Sequence, residues 1–163
     1  MQKQASGFTL IELVVTMVII AILASISAPS FNSMIIGNRL SGEMNAIIGG
    51  LNIARSEAQK RGTTVSVCAG TDIACVTDWS AGWVVLLESD PKEQLLVRPT
   101  LTSGDTISVS LASEYPQFNA AGYTFYTGKI FLRDKSNTAS LTRCIIFNAG
   151  SWVSKKGAAC PTT

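Results

Sequence analysis

The sequence contains no histidine, and only 15% of its 163 residues are charged. The absence of histidine excludes serine–histidine triads, most catalytic zinc sites and the usual general base near neutral pH. The net charge of +2 is too small for a polybasic chain that binds nucleic acid through its overall charge. Hydrophobic residues make up 47%, which excludes intrinsic disorder. We therefore expect a folded protein with no enzymatic activity, no cofactor and no metal site.

Cysteine is also scarce, with four residues in the chain. Four are too few for a disulfide-dense mini-protein but suit two bridges in an oxidising compartment. They can pair in several ways, and we favour the pairs that are close in sequence, Cys68–Cys75 and Cys144–Cys160. A zinc site made by all four thiolates is the alternative. Such sites usually contain pairs separated by about two to four residues, and neither pair here is so closely spaced.

No charged side chain occurs between residues 13 and 38, and residues 8–28 are almost entirely apolar or small. A helix rises about 1.5 Å per residue, so about 20 residues cross the hydrocarbon core of a bilayer, and residues 8–28 fit such a membrane-spanning helix. A secretory signal peptide is the alternative, but its apolar run is usually shorter. An ionised Glu12 inside a membrane costs about 2.5 kcal/mol or more, so such a residue normally has a partner.

The segment 7–13, Gly-Phe-Thr-Leu-Ile-Glu-Leu, follows a short leader with Lys3 and precedes the apolar run. It resembles the class III signal of type IV prepilins. This resemblance implies that prepilin peptidase cleaves after Gly7 on the cytoplasmic side and then methylates the new amino group of Phe8. It also implies that Glu12 neutralises the terminal amine of a neighbouring subunit in the filament. The attraction between the two charges offsets the cost of removing them from water only when their geometry is good. The pair would therefore set the axial register of each subunit in the filament.

A periodic pattern continues beyond the apolar run, with apolar residues every three or four positions as far as residue 58. Arg61 and Gly62 are typical of a helix end, so we predict one helix over residues 8–61, about 80 Å long if straight. Pro29 should either kink this helix or mark the end of the membrane span. The periodic apolar residues beyond the uncharged run form one stripe along the helix, which consists of Leu40, Met44, Ile47, Ile48, Leu51, Ala54 and Ala58.

After Gly62 the pattern changes to short runs of alternating or apolar residues, separated by Gly, Pro, Asn and Asp. The predicted strands are 64–67, 83–87, 95–97, 107–111, 123–126, 129–133 and 144–147. The expected fold class is α+β, with a long N-terminal α-helix packed on a C-terminal antiparallel β-sheet or β-sandwich head. The expected domains are a leader (1–7), the helix (8–61, with 8–28 in the membrane or filament core) and a disulfide-bonded head (62–163).

The head resembles the GspH/FimT/FimU group of minor pilins and pseudopilins. The residues that carry this resemblance are Asn52, Ala54-Arg55-Ser56-Glu57-Ala58, Arg61-Gly62, Val65–Cys68, Cys75, Asp78–Trp83, Arg143–Phe147, Gly150 and Cys160.

This second resemblance implies a structural subunit for type IV pilus assembly or priming at the filament tip, in a pilus serving twitching motility, adhesion or DNA uptake. Its partners would be the major pilin, other minor pilins, prepilin peptidase and the inner membrane. The head would be periplasmic on a single-pass anchor before assembly and at the cell surface afterwards. A minor pseudopilin of a type II secretion system is an alternative, because it would carry the same leader and Glu12.

A DNA-binding minor pilin for natural transformation, known in the FimT branch, is a further alternative. The sequence from Gly128 onward contains six basic residues and a single acidic one, Asp134. Basic side chains supply affinity for phosphate. However, the Gly-Arg-x-Arg motif of that branch is here Gly150-Ser151-Trp152-Val153, so both arginine positions are lost. The candidate contacts to double-stranded DNA are Lys129, Arg133, Arg143, Trp152, Lys155 and Lys156.

Overall fold

The computed structural model describes residues 7–99, 101, 104–111, 113, 115–124, 126–148 and 150–161, without the side chains of residues 28, 29 and 80. The predicted leader before Gly7, including Lys3, lies outside these residues. The chain divides into two units, one ending at Ile36 and one beginning at Gly37.

One long helix, α1, spans Leu10–Arg61. It begins two residues later than predicted because Thr9 acts as the N-cap, with its side-chain oxygen accepting a 3.3 Å hydrogen bond from the backbone N–H of Glu12. It ends where Gly62 adopts a φ of 66°, and the N–H of Thr63 donates to the carbonyl of Ala58. Pro29 lies within α1 and does not end it.

The first unit is the N-terminal part of α1 with the three residues before it. Its described side chains from residue 8 to residue 35 are all exposed, including Phe8 and Leu10. Among the residues that the structure describes, α1 is the one helix long and apolar enough to cross a membrane, by length and composition alone.

The second unit contains eight strands in two antiparallel sheets. The first sheet has the order β3-β2-β1-β5 and the second has the order β4-β6-β7-β8. Three short 3-10 helices lie at Trp79–Ala81, Ala139–Leu141 and Gly157–Ala159. The strands are β1 (Val65–Ala69), β2 (Gly82–Leu87), β3 (Glu93–Pro99), β4 (Thr106–Leu111), β5 (Gln117–Phe118), β6 (Gly128–Arg133), β7 (Arg143–Asn148) and β8 (Ser151–Lys156).

The expected α+β architecture is confirmed, but the strand predicted at 123–126 is wrong. Residues 123, 124 and 126 lie in a loop, and residue 125 is outside the described residues. The side-chain oxygen of Asn119 accepts hydrogen bonds from the N–H groups of Ala121 and Tyr123 and so holds the preceding turn. Such a side-chain bond offers the backbone an alternative to a sheet ladder. Strands β5 and β8 were not predicted, since β5 is very short and β8 is mostly polar and exposed.

The predicted helical stripe packs against the sheets in the second unit. All of its members are buried except Ile48, which is half-buried. The helix and β2 approach closely at Gly50, where a Cβ atom would lie 2.5 Å from the ring of the buried Trp83. A side chain at position 50 would therefore collide with β2. Every fully buried residue of the described chain lies in this unit, so the head has its own core.

Both predicted disulfides are present, and each fastens a loop onto the outer side of a sheet. Cys68–Cys75 closes a loop in which Cys75 packs on the buried cluster of Cys68, Val84 and Leu86. Cys144–Cys160 ties the C-terminal segment over Phe131.

Candidate functional sites: the N-terminal segment and the basic sheet

The first candidate site is the start of α1. Glu12 lies in its first helical turn, where a negative charge is favoured by the helix dipole. Its side chain is exposed among exposed aliphatic residues, and Phe8 is 83% exposed four positions earlier. Within the described part of the chain, Glu12 forms no ion pair. The segment therefore presents one carboxylate on an otherwise apolar helical surface.

The second candidate site is the basic sheet formed by β4, β6, β7 and β8. None of these four strands contains an acidic residue. Residues paired directly across antiparallel strands share a face, so the register assigns each cation to a side of the sheet. Arg143 pairs with Lys156, whereas Lys129 pairs with Ile146 and Lys155 pairs with Cys144. The six residues proposed for DNA contact are thus divided between two faces.

Arg143 lies on the face that packs against α1. Its guanidinium donates to the carbonyl oxygens of Gly37, Leu141 and Thr142 and, through two nitrogens, to the hydroxyl of Ser41. All of these acceptors are neutral. Arg143 therefore joins β7 to α1, and its side chain is already engaged within the protein.

Trp152 lies on the same face and is half-buried. Its ring packs edge-on against Phe118 at 5.6 Å and tilted against Phe147 at 6.3 Å between centroids. The guanidinium of Arg55 lies 5.2 Å from the Trp152 ring centroid and donates to the carbonyls of Gly122 and Gly150. The ring therefore fills the junction between β5 and β8. Arg55 is not among the predicted site residues, and its place in the Ala54-Arg55-Ser56-Glu57-Ala58 segment was the signal that could have found it.

The outer face of this sheet carries three of the candidate cations, Lys129, Arg133 and Lys155. Lys155 is exposed, while Lys129 and Arg133 are half-buried. The Arg133 guanidinium lies 4.8 Å from the centroid of the Phe131 ring. Lys156, the sixth candidate, is exposed on the opposite face beside Arg143.

Asp134, the acidic residue of this basic region, is turned inward. Burial alone would raise the pKa of Asp134, but hydrogen bonds from the backbone N–H groups of Thr138 and Ser136 and from the Thr138 hydroxyl outweigh it, so the pKa is lowered. Asp134 is 3% exposed and organises its own loop. Its charge is therefore held away from the outer face.

A third group of charges lies where α1 ends. Arg61 bridges Glu57 on the helix and Glu93 on β3, at 2.7 and 2.6 Å. Hydrogen bonding to Glu93 and then to Glu57 raises the pKa of Arg61, and the Arg61 hydrogen bond is the largest cause of the lowered pKa of Glu57. This exposed network orients the helix end on the first sheet. Among the described residues, no group of three or more Cys, Asp or Glu side chains is placed to hold a metal ion.

A long apolar N-terminal helix that continues into a disulfide-bonded β-rich head defines the pilin class of filament subunits. The sequence matches the family described as type II transport protein GspH over residues 43–151, and the prokaryotic N-terminal methylation motif over residues 2–28. The chain therefore belongs to the GspH family of type IV minor pilins and pseudopilins. No curated protein sequence matches it.

The fold is similar to two crystal structures of the type IV minor pilin FimU of Pseudomonas aeruginosa. One matches with a TM-score of 0.54 at 20% identity and covers 72% of this chain and 87% of that one. The other, in a second crystal form, matches with a TM-score of 0.52 at 20% identity and covers 72% of this chain and 91% of that one. This likeness establishes a pilin-like fold.

Proposed function

We propose that this chain is a non-catalytic minor pilin that helps to prime or assemble a type IV pilus at the filament tip. The observation that carries the proposal is Glu12, a carboxylate in the first turn of an exposed apolar helix that follows Gly7 and Phe8. Membership of the GspH family and the N-terminal methylation motif support it. The partners are the major pilin, other minor pilins and prepilin peptidase, with the apolar helix in the inner membrane before assembly.

In this proposal, cleavage between Gly7 and Phe8 leaves an N-methylated ammonium at Phe8, four residues before Glu12. Both charges lose hydration when apolar helices pack, and they recover that free energy only when they pair. A subunit that enters in the wrong axial register leaves the ammonium of one chain and the Glu12 carboxylate of another unpaired. Glu12 therefore acts as the register residue of the assembly.

The test replaces Glu12 by Ala and by Gln in the chromosomal gene and measures surface pili by shearing and electron microscopy. Both variants should reach the membrane at wild-type levels but fail to support normal piliation. Thr16→Ala, on the exposed helix one turn further on, is the matched control and should assemble normally. Normal piliation by both Glu12 variants would overturn the proposed role.

Deletion of the gene separates the pilus from the secretion alternative. A pilus subunit predicts loss of piliation and twitching with normal type II secretion. Loss of secretion with normal pili would instead identify a minor pseudopilin, because that assembly uses the same kind of leader and the same glutamate.

We also propose, as a second candidate function, binding of double-stranded DNA by the outer face of the basic sheet. What supports it is the set of Lys129, Arg133 and Lys155 on a face whose four strands carry no acidic residue. Each neutralised phosphate releases counterions, so affinity would fall steeply with salt. Arg143 and Trp152 would contribute indirectly, since their side chains are engaged within the protein.

Gel-shift titration of the head, residues 37–163, tests this candidate. The double substitution Lys129→Ala/Lys155→Ala should weaken binding and reduce the salt dependence by about two phosphate contacts. Lys60→Ala, at a helix lysine with a 74% exposed side chain, is the matched control and should bind like the wild type. Absence of a shift at low salt would end the DNA proposal.

A further inference from the structure

A groove runs between α1 and β8, the terminal strand of the basic sheet. It has a volume of about 320 Å³, and its polar and charged lining consists of Ser41, Asn45, Arg143, Ser154, Lys155 and Lys156. Three of these six residues are cations, and no carboxylate of the described residues lines the groove. Lys155 belongs both to this groove and to the outer face of the basic sheet, whereas Lys129 belongs to the outer face and does not line the groove.

The positive charge in the groove is fixed in place. Arg143 is half-buried, and its guanidinium is held by Gly37, Ser41, Leu141 and Thr142 through neutral oxygens. No carboxylate among the described residues pairs with it. Because its N–H groups already donate to these oxygens, Arg143 contributes a fixed positive charge to the groove, and Lys156 supplies the free donor.

Strand β8 adds a second recognition element, because among the described strands it pairs with β7 alone and is the last strand of its sheet. The edge of a terminal strand presents backbone N–H and C=O groups that can pair with an extended segment. Lys155 and Lys156 repel another basic edge, so the same residues that protect β8 from pairing with a copy of itself select for an acidic strand.

We propose that this groove receives an extended acidic segment from the head of a neighbouring subunit. The segment pairs with the backbone of β8, and its carboxylates face Lys156 and the fixed charge of Arg143. Ser41 and Asn45 on α1 supply further polar contacts. This inference rests on the proposed function as a filament subunit, because it identifies a contact between heads in that assembly.

The size of the groove favours a peptide over nucleic acid. Its volume accommodates a few side chains, whereas specific protein–DNA interfaces bury about 1,000 Å² or more of protein surface. A duplex would meet the outer face, where Lys129 lies, and would not enter between α1 and β8. The two ligands are therefore distinguished by which lysine they need.

The experiment uses the full chain in detergent micelles and a fluorescein-labelled peptide of alternating Glu and Val, with binding followed by fluorescence anisotropy. Lys156→Glu should weaken binding by about tenfold or more, because it places a like charge opposite the peptide carboxylates. Asn45→Trp, which fills the groove without changing charge, should also weaken it. Lys129→Glu makes the same charge change on the outer face and should bind within about twofold of the wild type.

Unfolding midpoints confirm that each variant folds, and a peptide of alternating Lys and Val should not bind. Failure of the acidic peptide to bind the wild type, an equal loss in Lys129→Glu, or displacement of the peptide by a DNA duplex that is undiminished in Lys129→Glu would each overturn the proposal. The assay involves no pilus assembly. A protein that assembles pili but binds no acidic peptide contradicts this inference alone, and one that binds but never supports piliation contradicts the proposed function.

Discussion

Arg39 on α1 and Asp105, the residue that precedes β4, form a bidentate ion pair. The guanidinium of Arg39 donates hydrogen bonds of 2.8 and 2.7 Å to the two carboxylate oxygens of Asp105, whose side chain is fully buried. The two residues are 66 positions apart in the chain. The pair therefore fixes where the second sheet lies along the helix.

Removal of Arg39 should be strongly destabilising. Arg39→Ala takes the cation away from a buried carboxylate, and breaking such a pair costs about 3–5 kcal/mol. Urea unfolding of residues 37–163 measures this loss. The double variant Arg39→Met/Asp105→Leu should lose less than Arg39→Ala alone, since it leaves no buried charge. A larger loss of unfolding free energy in the double variant than in Arg39→Ala would show that the attraction within the ion pair exceeds the cost of burying its charges.

Two adjacent glycines in α1 should respond oppositely to alanine. Gly50→Ala places a Cβ 2.5 Å from the buried ring of Trp83, so overpacking should cost about 1–3 kcal/mol. Gly49→Ala meets nothing within 4 Å and should stabilise the head by up to about 1 kcal/mol through helix propensity. Thermal unfolding of both variants checks this. Equal effects would mean that Trp83 does not pack closely on the helix.

The two disulfides should differ in their contribution to stability. Cys144–Cys160 closes a separation of 16 residues and Cys68–Cys75 one of 7. Restriction of the unfolded chain then predicts losses of about 3 and about 2 kcal/mol for the paired Cys→Ser variants. Denaturant midpoints rank them. Removal of Cys144–Cys160 should also expose Phe131 by freeing the C-terminal segment, and a reversed ranking would argue against this view.

Asp134 should make the head sensitive to acid. The pKa of Asp134 is lower in the folded head than in the unfolded chain, where it is about 3.9. Asp134 therefore stabilises the folded head above that unfolded pKa, and this stabilisation is lost as the pH falls through the folded pKa. Asp134→Asn should lose about 1–3 kcal/mol at pH 7, because hydrogen bonds to a charged acceptor are replaced. The difference between variant and wild type should narrow below about pH 4. A difference independent of pH would contradict the assigned hydrogen bonding.

Features encoded locally were predictable from the sequence. The leader motif, the three-to-four spacing along α1 and the Gly62 helix end depend on neighbouring residues, and so does the pairing of cysteines close in sequence. The family and the α+β fold class followed from these features and are confirmed. The helix starts at Leu10, two residues after the predicted start, and Thr9 caps it there.

Features that depend on distant contacts were not predictable. β5 is two residues long and exists because β1 pairs with it. β8 lacks a buried alternating pattern because it is an edge strand. The division of the basic residues between two faces depends on the register of β6, β7 and β8. The sequence does not indicate whether the Trp152 side chain is packed or exposed. Its contacts with Phe118 and Arg55 show that it is packed.

We propose that the mature subunit begins at Phe8 with a charged amine that Glu12 of another subunit neutralises. Intact-mass and N-terminal analysis of the protein recovered from sheared filaments measures this directly. We expect a chain that lacks residues 1–7 and carries one methyl group on the Phe8 nitrogen. Filaments containing the chain with residues 1–7 still attached would contradict it.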